Sequence, residues 1–132
     1  MLDRYLCGVM CMNFMSVGMF RAQQKQALIK KNYNEIYAHE AAHKRAAGSL
    51  AGSIVIEKNS DGIPVGGHVS IQMPKLNKKN PQQTIDQAEI VFKAAMAPSD
   101  PSAQDYKVAK QAKSIKAQAE NIKSKKGLDY YA

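Results

Sequence analysis

The chain has 132 residues, the size of one ordinary domain, and 45% of them are apolar. Much of that share is alanine and methionine, and tryptophan is absent, which excludes a deep aromatic core and favours a thin one between a few elements. The net charge of +8 is unevenly placed: residues 1–34 carry +4, residues 35–74 carry −1 and residues 75–132 carry +5. Basic flanks of this kind attract nucleic acid, anionic lipid or an acidic polymer. Aromatic residues are not interleaved with the lysines as single-strand binders require, so nucleic acid is the least favoured partner.

The first element is the apolar run YLCGVMCMNFMSVGMF, residues 5–20. Its 16 residues fall short of the roughly 20 that a spanning helix needs. Arg4 ahead of it, with the small residues Ser16 and Gly18, also fits a signal peptide. Tyr5, Met12, Met15 and Met19 recur at helical spacing, so an amphipathic helix is expected, docking on the domain, a protein partner or a membrane surface. Cys7 and Cys11 lie four apart on one face of it and read as buried free thiols rather than a disulfide framework. With no sign of an oxidising compartment, a cytoplasmic or membrane-associated place is favoured over secretion. Residues 1–20 are thus set apart from a single domain at 21–127, with a tail at 128–132.

From Phe20 to Ala47 the chain is rich in Gln, Lys, Ala and Glu without Pro or Gly, which predicts one long helix stopped by Gly48. Ala27, Tyr33, Ile36, Tyr37, Glu40 and His43 are its expected inner stripe. The period then changes. SIVIEKNSDGIPVGGHVSIQM, residues 53–73, holds two β-branched runs around Asn59-Ser60-Asp61-Gly62, a hairpin pattern. Gly66-Gly67 before His68 predicts a bulge or a close backbone approach. Thr84, with Gln87 three residues on, reads as the capping box of a helix over 84–96. Ala97-Pro98-Ser99-Asp100-Pro101 is a stiff turn, and Ser102 caps a last helix that Gly127 ends. The two helices are expected to pack antiparallel through Ile85, Phe92, Val108 and Ile115. The fold class is therefore mainly α with one β-hairpin (α+β).

The chemistry lies in YAHEAAHKRAAGS, residues 37–49. Positions i and i+4 of a helix share a face, so His39 and His43 can offer two imidazole nitrogens to one Zn²⁺. Glu40 points roughly 100° around the helix, too far for an easy ligand but within reach of a metal-bound water. This is the HExxH arrangement, in which the ion acidifies the water and the Glu takes its proton as a peptide carbonyl is attacked. A catalytic zinc needs a third protein ligand. His68 is favoured, because its two glycine neighbours let the backbone come close to the helix, with Glu89 its rival and Glu57 a weaker one.

AHEAAHKRAAGSLAGS, then DGIPVGGHVSI, then TIDQAEIVFKAAMAPSDPSAQD resembles, in that order, the bacterial SprA-related metalloproteases. The resemblance spans about residues 35–125 and implies a zinc-dependent peptidase with His39, Glu40 and His43 at its centre. Where similar members carry Glu after the paired glycines, this chain carries His68, and Gln72 stands where Asp often follows. Larger zinc peptidases place a substrate-pairing strand before the metal helix. Here no strand precedes it, so the architecture is a minimal zincin-like metal helix, then a hairpin and two helices, with a shallow cleft. Two functions follow: a zinc metallopeptidase acting on peptides or proteins, or a non-catalytic module in which zinc staples hairpin to helix within a larger assembly.

Overall fold

In the computed structural model three helices and one two-stranded antiparallel hairpin follow in the order α1 (Asp3–Ala47), β1 (Ala51–Lys58), β2 (Pro64–Ile71), α2 (Pro81–Ala95) and α3 (Ala103–Tyr131). A single 3₁₀ turn, Gly48–Leu50, joins α1 to β1. The structure describes residues 3–131, and side chains from Val17 to Leu128. The side chains of Tyr5, Cys7, Cys11, Met12 and Met15 lie outside the described residues, whereas Met19 is 66% exposed. No described helix is long and apolar enough to cross a membrane.

The backbone divides into two compact units, one made of Met1–Ile36 with Ile56–Gly66 and one of Tyr37–Val55 with Gly67–Ala132. The boundary expected at residue 20 falls inside α1, and the tail expected from 128 is helical to Tyr131. Gly127 does not end α3: a glycine inside a helix costs only about 1 kcal/mol and stops nothing by itself. Gly48 does end α1, because it takes the left-handed conformation, φ 58°, that side-chain-bearing residues resist.

In the first unit, the Asn32 side chain donates to the Pro64 carbonyl at 3.1 Å. The hairpin turn is held by Asn59, whose carboxamide oxygen accepts from the Asp61 and Ile63 amides, both at 3.0 Å, while Gly62 supplies φ 76°. The Asn59 amide donates to the Ile63 carbonyl, and the Gln72 amide donates to the Leu50 carbonyl at the other end of the hairpin. Residues 50–59 and 63–72 are equally long, so no residue is inserted between these pairs. No extra residue is inserted at Gly66-Gly67, but the burial alternation changes phase there, from Pro64 and Gly66 on the covered register to Gly67, Val69 and Ile71.

In the second unit, α2 packs on α3. Lys123 reaches Gln82, Lys116 reaches Glu89, and Lys113 sits 5.2 Å over the Phe92 ring, so partners descend on one helix as they rise on the other. The expected antiparallel pairing is present, but its seam is finer-grained than expected. Ala88, Val91, Ala94, Ala95, Ala109, Ala112 and Ala119 are buried, whereas Phe92, Val108 and Ile115 are only half-buried. Small side chains let the two backbones approach, and the larger ones flank the seam. The N-cap of α2 is Asn80 rather than Thr84, with Pro81 at the first helical position. Thr84 is fully buried and braces the preceding loop, its hydroxyl donating to the Lys75 carbonyl at 3.0 Å and accepting from the Asn77 amide at 2.9 Å.

Candidate metal centre

The buried stripe at the end of α1 is Glu40, His43 and Ala47, with His39 half-buried beside it. Tyr33 and Tyr37, expected on the inner face, are 43% and 46% exposed. The helix therefore turns its histidines inward and its tyrosines outward. A buried histidine demands partners, and His43 has them: its Nδ1 lies 2.8 Å from the Ala94 carbonyl at the end of α2. A carbonyl only accepts, so Nδ1 carries a proton, and Nε2 is the nitrogen left to face the site. His39 repeats the pattern, with Nδ1 3.3 Å from the Asp100 carboxylate.

Both Nε2 atoms face the same point. They are 3.2 Å apart, in rings inclined at 77°. The third group is Asp105, from the first turn of α3: its Oδ2 is 3.3 Å from His39 Nε2 and its Oδ1 is 3.3 Å from His43 Nε2. Asp105 is itself fixed by a capping box. The Ser102 amide donates to Oδ2 at 2.8 Å, and the Asp105 amide donates to the Ser102 hydroxyl at 3.2 Å. Ser102 thus caps α3 as the sequence predicts, and the residue that completes its cap also faces the histidine pair.

This donor set fits a divalent cation. In their neutral forms, with Nδ1 protonated, the two imidazoles offer only lone pairs at the meeting point, and the carboxylate can only accept. Three acceptors converging on one point repel one another unless a positive charge lies between them. The spacing is compatible as well: donors about 2.0–2.1 Å from a tetrahedral ion stand about 3.3–3.4 Å apart, the two Nε2 atoms are 3.2 Å apart, and each has one of the two Asp105 oxygens at 3.3 Å. The hydrogen bonds on both Nδ1 atoms are of the outer kind that orients metal-binding histidines. Among the described residues, His39, His43 and Asp105 form the group of metal-ligating side chains whose ligand atoms lie within 4.8 Å of one another.

A pocket of about 510 Å³ opens at this group, lined among others by Glu40, His68, Val69, Ile71, Met73 and Val108. Glu40 is 7% exposed and reaches the same pocket as both histidines. His68 also lines it but is not in the converging group. The alternation changes phase at the paired glycines, which leaves His68 on the exposed register while Val69 and Ile71 are half-buried. Glu89 is engaged elsewhere, 2.9 Å from Lys116, and lines a different pocket. Glu57 belongs to the other compact unit.

The model of the SprA-related family matches residues 17–126. No curated protein and no solved structure matches the chain. With most of its length covered, including all three residues of the His–His–Asp group, the chain belongs to the SprA-related family.

Proposed function

We propose that this protein is a small zinc-dependent peptidase in which His39, His43 and Asp105 hold the ion and Glu40 is the general base. The observation that carries this reading is the pair of Nε2 atoms 3.2 Å apart, each 3.3 Å from one oxygen of the Asp105 carboxylate, opening on a pocket that also contains Glu40. A divalent cation held there would supply Lewis acidity, making a water acidic near neutral pH and polarising a carbonyl. The protein's own part is proton handling and orientation. Glu40 accepts the proton of the attacking water as oxygen bonds to the peptide carbon. It then passes that proton to the nitrogen as the carbon–nitrogen bond breaks, leaving a carboxylic acid and an amine. Asp105 and the two Nδ1 hydrogen bonds keep the three donors pointed inward throughout. Three protein donors with a pocket beside them favour this reading over a structural staple, which closes its ion with four.

The test is metal content and hydrolysis together. The purified chain is expected to hold one zinc and to cleave a quenched fluorescent peptide. Glu40→Gln keeps the shape without the basic oxygen, so it is expected to retain the zinc while hydrolysis falls by about 10²–10⁴-fold. A zinc-loaded parent that cleaves no peptide, or a Glu40→Gln variant that cleaves as well as the parent, would end the catalytic reading. Loss of zinc from Glu40→Gln would instead make Glu40 a ligand.

A further inference from the structure

The pocket at the metal centre is two-sided in its chemistry. Its polar lining is His39, Glu40, His43, His68, Ser102, Gln104 and Asp105; its apolar lining includes Val69, Ile71, Met73 and Val108, all half-buried. Those four large side chains are left incompletely covered, while the α2–α3 seam is filled mainly by alanines. The charge pattern is equally selective. Among the described lining residues none is Lys or Arg, in a chain with 19 of them. The wall therefore offers a substrate carboxylate, whether an acidic side chain or a free C-terminus, no lysine or arginine partner.

We propose that the pocket takes an uncharged, apolar side chain from an internal segment of a peptide, seated on Val69, Ile71 and Val108 beside the group to be cleaved. This rests on the reading of His39, His43 and Asp105 as a metal centre, and it adds the substrate class. An apolar side chain covers wall that is otherwise wet; a charged one loses its hydration with no partner in exchange.

The experiment uses the zinc-loaded full chain and reads binding by calorimetry, independently of turnover. Three probes are compared: acetohydroxamate, N-acetyl-leucine hydroxamate and N-acetyl-aspartate hydroxamate. The first reports the ion alone. The leucine probe is expected to bind at least about tenfold tighter than acetohydroxamate, on the scale set by a few buried methylene groups, and the aspartate probe no tighter than it. Ile71→Thr and Val108→Thr, each checked for unchanged helix content by circular dichroism, are expected to remove most of the leucine gain and leave acetohydroxamate binding as it was. Equal affinity for acetohydroxamate and the leucine probe overturns the apolar-side-chain assignment while the metal centre stands. Preference for the aspartate probe overturns it too. A zinc-loaded chain that binds none of the three overturns the metal-centre reading and the assignment with it.

Discussion

The two ends of α3 are built by opposite means. At its start, Asp105 joins two histidines of α1 in a largely buried group of polar side chains. Further along, Ala109, Ala112 and Ala119 are buried, as are Ala88, Val91 and Ala95 of α2, and the charged side chains Lys116, Glu89 and Lys123 stand at the solvent edge. Burying alanine stabilises without requiring anything further. Burying a carboxylate against two imidazole lone pairs costs free energy until a cation or a proton offsets it. A costly arrangement at one end of a helix whose other end is inexpensive is what a metal-holding group at that end would require.

The largest effects should therefore appear at the start of α3. Asp105→Ala is expected to lower zinc affinity by more than about a hundredfold, since even outer hydrogen-bond partners of a zinc ligand account for 10–100-fold. His68→Ala is expected to change it little. Competition with a chromogenic chelator measures both. The reverse outcome, with His68→Ala the damaging change, would restore His68 as the third ligand and reduce Asp105 to a helix cap.

That contrast also marks what could be read from the sequence. The pairing of His39 with His43 was legible because a helix fixes the i, i+4 relation without any help from tertiary structure. The hairpin, the helix pair and the Ser102 cap were legible for the same reason: turn residues, period and capping chemistry are all local. Asp105 was hidden by its own local role. The pattern Ser-Ala-Gln-Asp accounts for it fully as the third residue of a capping box, and only the packing of α1 against the start of α3 reveals its second partner set. His68 lines the pocket without joining the converging group: the strand pairs with no inserted residue, and the change of phase at the two glycines leaves His68 on the exposed register. In the helix pair, volume misled: Phe92, Val108 and Ile115 looked like the seam, yet close-packed helices reserve the seam for alanine.

A mid-sized effect is expected in that seam. Ala112 is completely buried. Ala112→Leu adds three carbons to a side chain with no exposed surface, and overpacking of this kind costs about 1–3 kcal/mol. Urea unfolding should show the loss while zinc content stays at one equivalent, provided the seam and the metal centre are energetically separate. A variant as stable as the parent would mean that α2 and α3 are not in close contact in solution.

The smallest effect is expected at the solvent edge of the seam, where Lys116 lies 2.9 Å from Glu89 and 3.8 Å from Glu120. The hydrogen bond and charge of Glu89 raise the Lys116 pKa above its ordinary 10.5, against a small opposing effect of burial. A raised value means that the folded state holds this proton more tightly than the unfolded one. The contribution is then fully present below about 10.5 and is lost as pH rises through the raised value. Both partners are well exposed, so solvent and salt screen the pair. Glu89→Gln is expected to lower the Tm slightly and by the same amount between about pH 6 and 9, with the difference from the parent closing in alkaline solution above the lysine range. Added salt should shrink the difference at neutral pH. Zinc content should not change at all, because Glu89 lines a pocket that contains none of the three proposed ligands. A Glu89→Gln chain that loses its zinc would make Glu89 a ligand, and the division between a metal-binding start and an alanine-packed remainder of α3 would no longer hold.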